Sequence, residues 1–216
     1  MLKPRGLTLL EVIVVLVMIA VLAGLLLPTL QRTRCGGSRS SCSSNLNQIA
    51  KACFMYADVP ANGGYFPVLG TGDEIYKEGM SMRALSLVYN SYVADVRVFS
   101  CDKKPIPPAT LASITPVRDG KLDPGGTYLS AANCSYEYDA GHPSDHALAA
   151  ILADKKGSGH NSDNHGPNAG QNVVIGAGTT EWMPTVYRNL GNGHEDQDIH
   201  ALDAKLSREM DGYIRQ

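Results

Sequence analysis

The chain has almost no excess of charge of either sign. Its 216 residues carry 19 Lys+Arg against 21 Asp+Glu, a formal net charge of −2. That balance argues against the basic face on which a dedicated nucleic-acid binder depends, so no nucleic-acid partner is expected. Phosphate-gripping loops are missing as well. There is no Walker sequence, and Gly176-Ala-Gly178 lacks the following glycine of a dinucleotide fingerprint. Without a G-x-S-x-G elbow, an H-E-x-x-H run or the spacing of an EF-hand loop, the usual motifs for acyl transfer, zinc proteolysis and calcium sensing are gone. No internal repeat and no low-complexity domain occurs. Tryptophan appears once, at Trp182, within an apolar hairpin pattern that predicts a core position.

What the chain does have is one long apolar run. Met1-Leu-Lys-Pro-Arg-Gly6 is a short basic leader, and Leu7 to Leu27 is then apolar except for Thr8, Glu11 and Gly24. A run of that length suffices to span a bilayer as a helix. Lys3 and Arg5 ahead of it place the leader in the cytoplasm and the bulk of the chain outside. Glu11 is the anomaly, because a carboxylate within such a span costs roughly 2.5–3.5 kcal/mol when central. An intramembrane charge calls for a partner. Cleavage before Leu7 would create an α-ammonium group four residues from Glu11. In a staggered bundle the amine of one subunit can then meet Glu11 of its neighbour, relieving the buried charge and fixing register. An uncleaved anchor and an ordinary secretory signal cut after Val21-Leu22-Ala23 are the competing readings.

Gly6-Leu-Thr-Leu-Leu-Glu11 closely resembles the cleavage site of type IV prepilins and type II secretion pseudopilins. The resemblance implies cleavage after Gly6 by a prepilin peptidase and N-methylation of Leu7, which stands where phenylalanine is usual. It implies an assembly role for Glu11 and a helix kink at Pro28. A second, looser resemblance covers the remaining chain. Cys42-Ser-Ser-Asn-Leu-Asn-Gln-Ile49, Tyr92-Val-Ala-Asp-Val-Arg-Val-Phe-Ser-Cys101 and the stretch from Asn164-His165 to Glu181-Trp182 are similar to segments of a planctomycete and verrucomicrobial pseudopilin-like class with a His-x9-Asp-Gly motif. Here eleven residues follow His165 before Ala177-Gly178, and Ala177 stands where that class has aspartate. No role of that aspartate carries over.

The implied architecture is α+β: a long N-terminal helix packed on a small, mainly antiparallel sheet. Residues 1–6 form the leader, 7–28 the transmembrane half of the helix, 29–58 its amphipathic half and 59–216 the globular domain. Leu46, Ile49, Cys53 and Tyr56 fall on one helical stripe, while Gly36 and Gly37 predict a bend or short break. A second helix is expected within 81–90. Val96–Ser100 alternates like a strand. Further strands are expected near 127–129, 135–138 and 149–153. Gln171–Ile175 and Thr179–Met183 flank a glycine-bearing turn and read as a hairpin. Ile199, Leu202, Leu206 and Met210 have helical spacing.

The five cysteines are Cys35, Cys42, Cys53, Cys101 and Cys134. On one helix Cys42 and Cys53 would lie about 16 Å apart, too far to bond. Cys101 and Cys134 both belong to the globular part and are the expected disulfide in an exported domain. Asp154, His160, Asp163 and His165 are weak candidates for a metal site: the histidines suit zinc and the oxygens of the loop suit calcium. The simpler reading is a solvated turn with no bound cofactor. His194 to Asp198 reads as an acidic helix N-terminus. Tyr136 and Tyr138 share a strand face, either as sheet packing or as a filament contact. The functional expectation is a filament subunit and not an enzyme, held in the inner membrane with its domain periplasmic. Its partners would be other pilin or pseudopilin subunits, the prepilin peptidase, and the platform and ATPase of the assembly machinery. The alternative is a membrane-tethered periplasmic binding protein or metal-dependent hydrolase.

Overall fold

A computed structural model describes residues 9–69, 80–118, 120–145, 150–155, 162, 164–165 and 170–183, with the side chains of 26–35 excepted. The chain divides into two units, residues 1–37 and residues 38–216.

The first unit carries most of the apolar part of α1, which runs from Leu9 to Ala57. Every side chain from Leu9 to Leu25 is exposed; Leu9 is 79% and Leu25 67% accessible. Glu11 lies in the first helical turn, where a carboxylate complements the positive end of the helix dipole. Among the described residues no helix is long and apolar enough to cross a membrane. The helix continues through Gly36 and Gly37, so the expected break is absent. A glycine costs only about 1 kcal/mol in a helix interior, which long flanking helix can absorb. The helix also runs through Pro28, whose side chain is outside those described.

In the second unit α1 becomes amphipathic. Cys42, Leu46, Ile49, Ala50, Cys53 and Ala57 are buried, following the stripe read from the sequence, while Tyr56 packs at the edge of the same core. Their partner is a four-stranded antiparallel meander: β1 Tyr136–Tyr138, β2 Ala150–Asp154, β3 Gln171–Ile175 and β4 Thr180–Met183, in that spatial order. The register aligns Tyr138 with Leu152, Leu152 with Val174, and Val174 with Thr180. Tyr138, Leu152 and Val174 belong to the core that contains the α1 stripe, whereas Ala153, Val173 and Met183 form a separate cluster. This division follows from the two-residue alternation of a strand.

The hairpin between β3 and β4 closes through Gly178, which has φ +80°. Its N–H donates to the Ile175 carbonyl at 2.7 Å. A Cβ there would stand 3.1 Å from the Phe54 ring, so glycine serves both the left-handed turn and the close approach of α1.

Between helix and sheet come short elements. α2 covers Met80–Leu85 and continues as a 3-10 turn over Ser86–Val88; α3 covers Pro108–Ala112. The strand expected at Val96–Ser100 is instead a 3-10 helix over Val96–Phe99. Asp95 caps it by accepting from the Arg97 N–H at 2.9 Å, and the Arg97 guanidinium returns to the same carboxylate. This local hydrogen bonding competes with the extended form that alternation alone suggests. Residues 127–129 are irregular rather than a strand. Ile199, Leu202, Leu206 and Met210, with their helical spacing, lie outside the described residues.

Candidate functional site

The N-terminal processing site and the interior of the globular domain contain the two sets of candidate residues. Gly6 and Leu7 lie outside the described residues; Glu11 is exposed on α1.

The interior set gathers around the end of β2. Asp154 is fully buried there. A carboxylate with no access to water must be paired or hydrogen-bonded. Its Oδ2 accepts the Asn172 backbone N–H at 2.7 Å and the Asn172 side-chain amide at 2.9 Å. The same oxygen lies 3.0 Å from His165 Nε2. Asn164 donates to the Ser135 carbonyl at 2.6 Å and lies 3.4 Å from Asp154 Oδ1. The Lys103 ammonium donates to the His165 carbonyl at 2.5 Å. These bonds hold the segment around residues 162–165 against β1, β2 and the Cys101 turn.

Trp182 supplies one wall. Its ring meets His165 edge-on, with centroids 5.3 Å apart, and carries the Arg39 guanidinium 3.4 Å from its centroid. The expected core tryptophan is thus a half-buried platform linking α1 to the imidazole. His165 Nδ1 is buried and has no hydrogen-bond partner.

The cysteines approach from α1 and from the turn after Phe99. Cys42 Sγ and Cys101 Sγ stand 2.6 Å apart. With a ring nitrogen of His165 they form a set whose ligand atoms lie within 4.8 Å of one another. Cys42 donates to Cys101, which lowers the Cys101 thiol pKa from the ordinary value and raises that of Cys42. Burial opposes the lowering at Cys101, and backbone N–H groups of Lys103 and Lys104 reinforce it.

The expected Cys101–Cys134 pair is not formed. No bond joins the two, and Cys101 faces α1. The chain around these residues does come together, since the Ser135 N–H donates to the Phe99 carbonyl at 2.9 Å. The Cys101 side chain nevertheless faces Cys42 rather than Cys134. Burial pushes the Cys134 thiol up to about 12. Cys53 is likewise buried in the core.

Of the four metal candidates, Asp154 and His165 are brought together; His160 and Asp163 lie outside the described residues. The sequence reading missed Cys42 and Cys101 as their neighbours. Tyr136 and Tyr138 are buried, which corrects the alternative of a filament contact. Asn45 donates to the Tyr136 hydroxyl at 3.2 Å, and the Tyr138 hydroxyl donates to the Pro67 carbonyl at 2.7 Å.

The two ends of the chain compare differently with known proteins. Residues 1–27 match the family model of the prokaryotic N-terminal methylation motif. The chain is type IV pilin-like at its N-terminus. No curated protein and no solved structure matches the chain. The matched motif is of the kind a prepilin peptidase processes, and the α+β arrangement of helix and antiparallel meander fits a pilin-like protein.

Proposed function

We propose that the chain is a structural subunit of a type IV pilus-like or type II secretion pseudopilus filament. The observation that carries this reading is the exposed apolar surface of α1 from Leu9 to Leu25, directly within the methylation motif. So much contiguous apolar surface requires a cover. The sequence extends the run back to Leu7 and on to Leu27, which is long enough for a bilayer-spanning helix. The inner membrane covers it before assembly, with the domain on the periplasmic side. Neighbouring α1 helices cover it in the filament.

Processing after Gly6 leaves Leu7 as the N-methylated first residue, and Glu11 pairs with the neighbour's terminal amine. Pro28 bends the helix between its membrane half, 7–28, and its amphipathic half, 29–58; residues 59–216 form the domain displayed outside. An assembly platform and a separate ATPase supply the work of extraction. The role is structural and not enzymatic. The burial of Asp154 and His165 favours a structural interior pair over a hydrolytic site open to substrate. The similarity of the segment around His165 to the His-x9-Asp-Gly class supports membership of that pseudopilin group.

Expression of the full chain beside an intact assembly system tests this reading. The processed chain is expected in sheared or purified filaments. Complete processing with the chain confined to the membrane fraction, and no crosslink to any pilin subunit, would overturn it.

A further inference from the structure

Two of the buried thiols have a relationship that neither the methylation motif nor filament assembly explains. Cys42 on α1 and Cys101 in the turn after Phe99 are 59 residues apart in sequence, yet their sulfurs are 2.6 Å apart and both side chains are fully buried. We propose that Cys42 and Cys101 form a disulfide that fastens α1 to the globular domain.

The neighbouring imidazole raises a second chemistry. Two cysteines and a histidine are a zinc ligand set, and His165 Nδ1 is a buried nitrogen without a hydrogen-bond partner. Asp154 behind Nε2 even resembles the carboxylate that orients a zinc-bound histidine. The sulfur separation favours the disulfide over the metal. A tetrahedral zinc with bonds of about 2.3 Å holds two sulfurs roughly 3.8 Å apart. A disulfide brings them to about 2.05 Å. At 2.6 Å the two sulfurs are nearer the disulfide distance than the zinc-bridged one.

The bond needs an oxidising compartment, and here the proposal rests on the periplasmic placement of the domain. The chemistry is thiol–disulfide exchange with a disulfide donor of that compartment. The Cys101 thiolate attacks one sulfur of the donor, forming a mixed disulfide and releasing the first donor thiolate. Cys42 then loses its proton and attacks the Cys101 sulfur, forming the Cys42–Cys101 bond and releasing the second donor thiolate. The two cysteines give up two protons and two electrons, and the donor is reduced to two thiols. The order of the two thiols is interchangeable, because the hydrogen bond that distinguishes them exists only in the closed fold. Both sulfurs are inaccessible in the folded domain, so exchange precedes the closure of α1 onto the sheet.

Peptide mapping of the full chain tests the proposal. The exported protein is denatured in the presence of N-ethylmaleimide, so that buried free thiols are trapped as they are exposed, then digested without reductant. A peptide containing Cys42 linked to one containing Cys101 is expected, resolved into two by reduction. Reduction of the intact protein is also expected to lower its melting midpoint by about 10 °C, as opening a loop of this length implies. Maleimide on both Cys42 and Cys101, or a Cys101–Cys134 link, overturns the proposal. So does one zinc ion per chain, measured by elemental analysis, with both thiols reduced. The N-terminal peptide from the same digest reports processing separately: a start at Leu7 with both thiols free would reject the disulfide and leave the pilin-like reading standing.

Discussion

His165 Nε2 lies 3.0 Å from Oδ2 of Asp154, a carboxylate with no exposure to solvent. Two further donors of Asn172 reach the same oxygen. Removing the carboxylate strands an imidazole and two amide donors in a dry interior, and each buried unsatisfied group costs about 1–3 kcal/mol. Asp154→Ala is expected to destabilise the domain by about 3 kcal/mol or more, read from the denaturant midpoint. Asp154→Asn keeps the volume and one acceptor oxygen and should cost less. Equal losses for the two variants would show that the retained volume contributes nothing and that the carboxylate's bonding, not its packing, is what Asp154 supplies.

Processing is read directly from mass. The mature chain is expected to begin at Leu7 and to carry one additional methyl group on its amine. Intact mass and sequencing of the N-terminal peptide check this; a start at Gly24 would instead indicate an ordinary secretory signal.

Glu11→Ala is expected to leave insertion and cleavage largely unchanged, because loss of the charge makes the segment more apolar. Incorporation into filaments should fall, since the neighbouring terminal ammonium loses its partner at low dielectric. Glu11→Gln separates charge from size and should be impaired similarly. Co-assembly with the wild-type chain in purified filaments is the measurement, and normal entry of both variants would remove Glu11 as a register device.

Alkaline pH should weaken the domain. Burial pushes the Cys134 thiol up to about 12 and raises that of Cys53 as well, from an ordinary value of 9.0. Above pH 9 the unfolded chain releases these protons while the folded chain retains them. The unfolded state then binds fewer protons, so stability falls with rising pH, by up to about 1.4 kcal/mol per unit for each such group. Below pH 9 both states keep the protons and the effect vanishes. Urea midpoints between pH 8.5 and 10.5 should decline, and Cys53→Ala should shallow that decline. An unchanged slope in the variant would contradict the contribution of Cys53.

Gly178→Ala places a Cβ 3.1 Å from the Phe54 ring at a residue with φ +80°. The left-handed conformation and the contact together should cost about 1–2 kcal/mol. The fall in thermal midpoint measures it. A midpoint equal to the wild type would show that the turn adapts freely.

The sequence by itself determined the features written in neighbouring residues. The leader, the Gly6–Leu7 junction and Glu11 occupy one contiguous stretch, so the methylation motif was legible without any fold. The α1 stripe of Leu46, Ile49 and Cys53 and the β3–β4 hairpin were legible because burial on one face imprints a period of 3.6 or 2 on the chain. Periodicity failed where local chemistry overrode it. Val96–Phe99 alternates like a strand, yet the Asp95 cap holds it as a 3-10 helix. Gly36 and Gly37 suggested a break that a long helix absorbs at small cost. The interior site was decided by tertiary structure alone. Cys42 meets Cys101 across 59 residues, and Asp154 meets His165 and Asn172 only once β2 and β3 pair. Spacing along a chain does not encode which side chains face one another across a helix–sheet interface, so the pairing of Cys101 with Cys42 rather than Cys134 emerged only when α1 was laid against the sheet.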